Sequence, residues 1–194
     1  MTRIATAILI SGRGSNMRAL IEAARAPDYP ATIALVMSNR PEAAGLQSAV
    51  EQGIPTAAVD HRAFGKDRHA FERAMQAELD RHGVEFICLA GFMRVLTPAF
   101  VSAWEGRMLN IHPSLLPKFP GTNTHARALV AGESEHGCTV HWVVPQVDSG
   151  PIVGQARVPV LPGDTEETLA ARVLAEEWKL YPQALRSVLS TVAA

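Results

Sequence analysis

Residues 4–16, IATAILISGRGSN, join a continuous apolar run to a glycine-rich turn. The apolar residues Met17, Leu20, Ile21 and Ala24 follow at helical spacing and predict an amphipathic helix. A strand, a glycine-rich turn and a helix, in this order, open a βαβ unit. A strand that is apolar at nearly every position is covered on both faces, which is typical of a parallel sheet flanked by helices.

The rest of the chain continues this alternation of strands and helices. Further strands are predicted at 32–37, 56–59, 86–90 and 108–111, then at 138–144, where the residues alternate, and at 152–158. Helical patterns cover residues 43–52, 67–82, 97–103 and 126–131. A last helix starts near 164–167, and Pro182 is expected to bend or divide it. We therefore predict an α/β fold with a doubly wound sheet in a single domain over 1–194. It should have a mostly parallel, twisted sheet of about seven strands with helices on both faces.

The composition argues against several classes of protein. With 194 residues, 47% hydrophobic and 19% charged, the chain has the balance of a globular protein and ample material for a core. A net charge of −1 gives no electrostatic reason to bind nucleic acid or a membrane surface, and no apolar stretch is long enough to cross a bilayer. The start reads as a first strand rather than a signal peptide. Because Cys88 and Cys138 have no CxxC partner, we expect a reduced, cytoplasmic protein.

The glycine-rich turn predicts a site for an anion, and a phosphate suits it best. Gly12 and Gly14 allow a tight turn and a close approach of the backbone, and a helix N-terminus follows. The turn is not a dinucleotide fingerprint, because Met17 stands where the GxGxxG pattern needs its third glycine. In addition, no acidic residue follows the second strand, where residues 38–40 read Ser-Asn-Arg. A purely structural turn is the alternative interpretation.

A second stretch, residues 108–121 (MLNIHPSLLPKFPG), carries candidate reaction chemistry. Asn110 and His112 are two residues apart near the end of a strand, so both side chains point the same way. The prolines of the following loop restrict its backbone. An amide donor beside an imidazole suits a site that stabilises a developing oxyanion while moving a proton. Polar residues that merely end a strand are the alternative.

Asp148 is the third candidate, in the turn 147–151 between two predicted strands. Aspartate is common in such turns for local hydrogen bonding alone. If the turn folds over the edge that carries His112, the carboxylate would orient the imidazole and favour its protonated form. His136 and His141 are an odd number of residues apart and would lie on opposite faces of a strand, although His141 could still face the cleft. No further ligands complete a metal site, so we expect no catalytic metal.

Four blocks of the sequence resemble one known family. They are SGRGSN at 11–16, AGFMRVL at 90–96, LNIHPSLLPKFPG at 109–121 and GCTVHWVVPQVDSGPIV at 137–153. In this order and spacing they resemble the phosphoribosylglycinamide formyltransferases, within the wider family that uses 10-formyltetrahydrofolate. The blocks around His112 and Asp148 are shared by that wider family. The GxGSN loop points to the branch that acts on glycinamide ribonucleotide (GAR), and the resemblance also implies a Rossmann-like fold.

The resemblance implies a reaction and a catalytic trio. The amine of GAR would attack the formyl carbon on N10 of 10-formyltetrahydrofolate, the co-substrate, in purine biosynthesis and without a metal. Asn110 and His112 would stabilise the tetrahedral oxyanion. His112, directly or through water, would help to move the amine proton towards the leaving nitrogen, and Asp148 would keep the imidazole oriented.

The resemblance also assigns two binding regions. A phosphate-binding half would span about 1–100, and a catalytic and folate-binding half about 101–194. The implied GAR-binding residues are Gly12, Arg13, Gly14, Ser15, Asn16 and Glu177. The implied folate-binding residues are Arg68, Met93, Arg94, Val95, Leu96, Asn110, Val144, Pro145, Gln146, Val147 and Asp148. Both partners are then small molecules, and a homodimer is compatible with the sequence. Arg13 inside the phosphate loop, and Ser149 where some relatives have glycine, are departures from the family pattern.

Other functions remain as alternatives. A formyltetrahydrofolate deformylase would use water in place of the amine, but usually carries an additional N-terminal regulatory domain, whereas this chain starts at its first strand. A methionyl-tRNA formyltransferase is disfavoured because no basic C-terminal domain is present. A non-catalytic phosphate- or nucleotide-binding protein would leave Asn110, His112 and the proline loop without a purpose. An NAD-dependent oxidoreductase lacks the glycine and the acidic residue discussed above.

Overall fold

The computed structural model describes residues 3–192. Its strands are β1 (Ile4–Ile10), β2 (Ala31–Ser38), β3 (Thr56–Ala58), β4 (Phe86–Leu89), β5 (Met108–His112), β6 (Glu135–Trp142) and β7 (Ile152–Pro159). Its helices are α1 (Ser15–Ala24), α2 (Ala44–Glu51), α3 (Arg68–Arg81), α4 (Pro98–Ala103), α5 (Thr124–Val130) and α6 (Glu166–Val192), with a short 3-10 helix at His61–Phe64. Every strand and helix that the sequence predicts is present, although several ends differ.

The strands form one seven-stranded sheet in the order β3-β2-β1-β4-β5-β6-β7. Strands β1 to β5 are paired in parallel, whereas β6 is antiparallel to β5 and β7 is antiparallel to β6. The prediction of a mostly parallel sheet of about seven strands is therefore confirmed. The reversal at β6 was not predicted from the sequence.

Alternate residues of β1 enter two separate hydrophobic clusters. Ile8 and Ile10 pack in a cluster that contains apolar residues of α1 and α6. Ala7 and Leu9 pack in another that contains residues of α3 and α4. Because side chains alternate along a strand, the two clusters lie on opposite faces of the sheet. Helices thus cover both faces, as predicted, and the fold is a single α/β domain.

The carboxyl ends of the central strands are fixed by a contact from α6. The hydroxyl of the buried Tyr181 lies 3.0 Å from the carbonyl oxygen of Leu89 and 3.1 Å from that of Leu109. Both oxygens accept, so the hydroxyl shares its proton between β4 and β5. Loops that follow parallel strands meet at this edge of the sheet, which is where ligands bind in open α/β folds.

Two predicted details are corrected by the structure. Pro182 lies inside α6, which runs without a break from Glu166 to Val192, so the prediction that the proline could divide this helix is wrong. Leu185 and Leu189, beyond the proline, are fully buried, and this packing holds the helix across the missing N–H group. Strand β6 begins at Glu135 rather than at residue 138.

Both cysteines are buried and free. Burial raises the pKa of the Cys88 thiol, and that of the Cys138 thiol, to about 12, so neither is a thiolate at neutral pH. Within residues 3–192 no helix combines the length and the apolar character that a membrane crossing requires.

Candidate active site

A cavity of about 550 Å³ opens at the carboxyl edge of the sheet, beside β4 and β5. Its size is that of a small-molecule site, and its wall is mainly apolar. The wall contains three groups of residues predicted from the sequence: the trio Asn110, His112 and Asp148, the segment Met93–Leu96 and the segment Val144–Asp148. The structure therefore brings the predicted catalytic and folate-binding residues, apart from Arg68, to one cavity.

His112 lies at the end of β5 with both ring nitrogens facing acceptors. Its Nδ1 is 3.5 Å from Oδ2 of Asp148. Its Nε2 is 2.9 Å from the backbone oxygen of Phe119, and because a carbonyl can only accept, Nε2 carries a proton. A proton on Nδ1 would in turn face the carboxylate. Phe119 therefore holds the Nε2 proton, and Nδ1 is the nitrogen that can exchange a proton in the cavity.

Asp148 is held in place by the backbone around it. It has a φ of 51°, a left-handed conformation that aspartate tolerates better than most residues. Its Oδ2 accepts a hydrogen bond of 2.8 Å from the backbone N–H of Gly121, in the loop that follows β5. A Cβ on Gly150 would lie 1.7 Å from the carbonyl oxygen of Trp142, so this position needs glycine. The turn thus folds over the edge that carries His112, as the sequence argument required.

The amide of Asn110 is held by His141, the residue opposite it in the β5–β6 pair. Nδ2 of Asn110 lies 3.2 Å from Nε2 of His141, and Nδ1 of His141 lies 2.9 Å from the carbonyl oxygen of Trp142. Nδ1 must donate to that oxygen, so Nε2 of the neutral ring accepts from the amide. Burial lowers the pKa of His141, which favours this neutral form.

A pair of histidines, His125 of α5 and His136 of β6, lies beside Phe119 of the loop that follows β5. Nε2 of His136 is 3.2 Å from Nδ1 of His125, which also lines the cavity. Burial, and then the neighbouring His125, lower the pKa of His136 to about 4. His136 and His141 therefore make separate contacts, and His141 faces the cavity. Among residues 3–192 no three His, Cys, Asp or Glu side chains are grouped as a metal site would need.

The proline loop after β5 is held by a hydrogen bond within the loop and by two hydrogen bonds to Thr139 of β6. The hydroxyl of Ser114 donates to the carbonyl oxygen of Lys118 at 2.6 Å. The hydroxyl of Thr139 donates to the oxygen of Ser114 at 2.7 Å and accepts from the backbone N–H of Leu116 at 3.1 Å. These contacts keep the Phe119 carbonyl against the ring of His112, as expected of a stiff loop.

The glycine loop adopts the tight turn that the sequence predicts. Gly14 has a φ of 70°, and a Cβ there would lie 3.0 Å from Cε of Met17 and 3.2 Å from Cα of Gly45. The carbonyl oxygen of Gly12 accepts from the N–H of Gly45 at 3.0 Å, and Arg13 is exposed. The loop leads directly into α1, so its backbone and the first N–H groups of the helix can meet an anion.

Asn16, at the end of this loop, contacts Glu177 of α6. Nδ2 of Asn16 donates to Oε2 of Glu177 at 2.7 Å, and both residues are buried. Burial raises the pKa of the Glu177 carboxyl, although the hydrogen bond from Asn16 opposes this. Within residues 3–192, Oδ1 of Asn16 is the buried side-chain polar atom that has no hydrogen-bond partner. Of the described residues, the wall of the 550 Å³ cavity includes neither this loop nor Glu177.

The predicted folate segments present apolar side chains at the rim of the cavity. Met93 is 68% exposed, Val95 is 61% exposed and Val147 is 52% exposed. Arg68 lies beside the rim rather than in the wall, and its guanidinium donates to the carbonyl oxygen of Val95.

Sequence reasoning missed several residues of the wall. They include Val101, Thr122, Asn123, Thr124, His125 and Glu166. Most of them follow β5 in the chain, and only the path of the loop shows that they face the cavity. His141 was noted as a residue that could face the cleft, and this is confirmed, but its contact with Asn110 depends on the antiparallel register of β6.

Comparison with known proteins adds a family match. Residues 4–185 match the formyl transferase family. A trifunctional purine biosynthetic protein adenosine-3 of Bos taurus is 50% identical over 184 residues, which are 95% of this chain and 18% of that protein. The chain therefore spans less than a fifth of this relative.

Shorter relatives match over most of their length. A phosphoribosylglycinamide formyltransferase of Escherichia coli (strain K12) is 47% identical over 175 residues, covering 90% of this chain and 82% of the relative. A crystal structure of phosphoribosylglycinamide formyltransferase from Brucella melitensis superposes with a TM-score of 0.93 at 53% identity, covering 97% of this chain and 96% of that one.

Proposed function

The chain belongs to the formyl transferase family, and we propose that it transfers a formyl group from 10-formyltetrahydrofolate to the amine of 5-phosphoribosylglycinamide. The products are formyl-GAR and tetrahydrofolate, and the reaction is a step of purine biosynthesis in the cytoplasm. One observation carries the proposal. An amide and an imidazole from one stretch of the sequence, and a carboxylate from another, converge on one cavity at the carboxyl edge of the sheet.

These three groups match the charges that develop in formyl transfer. Attack of the amine on the formyl carbon forms a C–N bond and places negative charge on the formyl oxygen. An N–H of Asn110 and the imidazolium of His112 are positioned to stabilise that oxygen. The attacking nitrogen must lose a proton and N10 of the folate must gain one before the C–N10 bond breaks. His112 mediates this exchange through Nδ1, because Phe119 holds the Nε2 proton.

Asp148 supports the charged form of His112 during these steps. Its carboxylate lies 3.5 Å from Nδ1 and is itself fixed by the Gly121 N–H. A carboxylate beside an imidazole sets the orientation of the ring and stabilises the imidazolium, without having to become protonated. This role needs the negative charge as well as the shape of the side chain.

The glycine loop and Glu177 support the assignment of the GAR site. The phosphate binds on the backbone of Gly12 to Asn16, where Arg13 adds a positive charge. Glu177 binds the glycinamide end. The unpartnered Oδ1 of Asn16 is a buried acceptor that a hydroxyl or N–H donor of the substrate can satisfy.

The folate binds in the cavity between the two apolar segments. Met93–Leu96 and Val144–Asp148 line it, and their backbone groups can read the polar edge of the pterin. Arg68, beside Val95, is placed for the carboxylates of the glutamate tail.

An absorbance assay with 10-formyltetrahydrofolate, run with and without GAR, tests this function. The expected result is turnover that requires GAR and yields formyl-GAR. Turnover with water alone would instead identify a formyltetrahydrofolate deformylase, which uses the same trio. Binding of GAR without turnover under any condition would identify a non-catalytic phosphate-binding protein. The variant His112→Ala, which lacks the proton carrier, serves as the negative control for any activity observed.

A further inference from the structure

Ser11, the last residue before the glycine loop, holds both ends of the turn Gly91–Met93. Its backbone N–H donates to the carbonyl oxygen of Gly91 at 3.0 Å. Its hydroxyl accepts from the backbone N–H of Met93 at 2.7 Å. Ser11 is only 5% exposed, so both contacts are shielded from water. The turn that begins the proposed folate segment is thus fixed by the residue that follows β1.

The hydroxyl of Ser11 is oriented by Asn39, the residue that follows β2. It donates to Oδ1 of Asn39 at 2.5 Å, and Asn39 is 2% exposed. Nδ1 of His61 lies 2.9 Å from the backbone oxygen of Asn39, and when protonated it donates to that oxygen and fixes Asn39 in turn. Because the Ser11 hydroxyl has one proton, donation to Asn39 leaves its lone pairs for the N–H of Met93.

The far end of the same segment is also held by hydrogen bonds, which come from residues of α3. Glu72 of α3 accepts from the backbone N–H of Thr97 at 2.6 Å and from its hydroxyl. Arg68 donates to the carbonyl oxygen of Val95. The exposed side chains of Met93 and Val95 therefore belong to a backbone segment that is held by hydrogen bonds at both ends.

We propose that Ser11 and Asn39 are positioning residues for the folate. They hold the backbone N–H of Met93 and thereby fix the cavity wall at Met93–Leu96, against which the folate binds. This inference rests on the proposed function, since it names which of the two substrates the Ser11–Asn39 pair serves. Ser11 also precedes Gly12, so the pair connects the folate wall to the phosphate loop through one residue. Neither side chain belongs to the wall itself, so both act through the backbone of Met93.

Steady-state kinetics with each substrate varied in turn test the proposal. Ser11→Ala and Asn39→Leu should each raise the KM for 10-formyltetrahydrofolate about tenfold, the effect of one lost buried hydrogen bond. The KM for GAR should change much less, because the backbone contacts of the glycine loop remain. Asn39→Asp, which keeps an acceptor for the Ser11 hydroxyl, should restore the KM for the folate. Equal changes in both KM values, or no change in either, would overturn the proposal.

Hydrogen exchange at the Met93 amide gives a second readout that needs no substrate. The amide should exchange about ten times faster in Ser11→Ala than in the unmodified protein, because its acceptor is gone. Thr6→Val is the matched control, since it removes a buried hydroxyl from the other end of β1. Unchanged exchange at Met93 in Ser11→Ala would refute the positioning contact. If the unmodified protein neither turned over nor bound tetrahydrofolate, the proposed function would fail, and this would be visible before any variant was compared.

Discussion

Nδ2 of Asn110 lies 3.2 Å from Nε2 of His141, across the antiparallel pair β5–β6. The carbonyl of Trp142 takes the Nδ1 proton of His141, so the ring offers Nε2 as an acceptor to the amide. The contact fixes which end of the Asn110 amide is bound to His141 and which groups remain for the cavity. Since an oxyanion needs a donor rather than a carbonyl oxygen, the orientation of this amide has a direct consequence for catalysis.

We predict that His141→Leu lowers kcat by about tenfold by freeing the Asn110 amide to rotate. Asn110→Ala should lower kcat by about a hundredfold, the usual effect of losing one oxyanion donor. If His141 acts through Asn110, the double variant should be no slower than Asn110→Ala alone. Multiplication of the two losses in the double variant would show that His141 acts independently. Stopped-flow or steady-state rates of all three variants decide between these results.

His112→Ala should retain the fold and lose roughly 10³-fold in kcat, because it removes both the proton carrier and a donor to the oxyanion. Circular dichroism checks the fold, and formyl-GAR production gives the rate. His69→Ala is the matched control, as His69 is exposed on α3 and should keep full activity. An active His112→Ala enzyme would refute the role assigned to this imidazole.

The fold and the catalytic trio could be predicted for different reasons. The continuous apolar runs predicted β1, β2 and β4, because burial on both faces of a parallel sheet leaves a strong local pattern. Asn110 and His112 share a face because of strand geometry alone. The place of Asp148 beside His112 depended on the path of the turn 147–151, which local pattern could not show.

Contacts between distant parts of the chain were beyond local reasoning. Asn16 and Glu177 are separated by 161 residues, and only the resemblance to a family pointed to Glu177. The hydrogen bond from Met93 to Ser11 joins loops after different strands, 82 residues apart. Such pairs leave no periodic signal, because each residue satisfies the local pattern of its own loop.

Gly14→Ala should raise the KM for GAR much more than the KM for the folate. The residue has a φ of 70°, and the added Cβ would press on Met17 and on Gly45. The backbone of the phosphate loop must therefore shift. Gly53→Ala is a matched control, with a φ of 75° and open space around the added Cβ. Gly53→Ala should lower the free energy of unfolding by a similar amount, about 1 kcal/mol by urea denaturation. It should leave the KM for both substrates unchanged. Equal KM effects for the two substrates in Gly14→Ala would contradict the phosphate assignment.

The buried His136 predicts a loss of stability in mild acid. Its pKa is lowered to about 4 by burial and by His125, whereas an unfolded histidine titrates near 6.5. Between these values the unfolded chain binds more protons than the native protein, so the free energy of unfolding falls as the pH falls from 6.5 to 4. Urea denaturation over this range should show a shallower decline in His136→Gln than in the unmodified protein. His69→Gln, on the surface, should leave the decline unchanged, and a decline equally steep in His136→Gln would exclude His136 as its source.

Glu177→Gln should stabilise the protein while weakening its binding of GAR. Burial raises the pKa of this carboxyl, so ionisation is less favourable in the native protein than in the unfolded chain. The protonated Glu177 carboxyl therefore contributes fully to the free energy of unfolding at pH values below its pKa in the unfolded chain. This contribution is lost as the pH rises through its pKa in the native protein, so at neutral pH the buried charge destabilises the protein. Glutamine removes that charge and still accepts from Nδ2 of Asn16 through its amide oxygen.

We expect a higher Tm of Glu177→Gln at neutral pH, together with a lower kcat/KM for GAR. At a pH below 4 the difference in Tm should shrink, because both proteins then carry a neutral side chain at this position. A lower Tm for Glu177→Gln at neutral pH would mean that the charge stabilises the native protein, and the argument from burial would then be wrong.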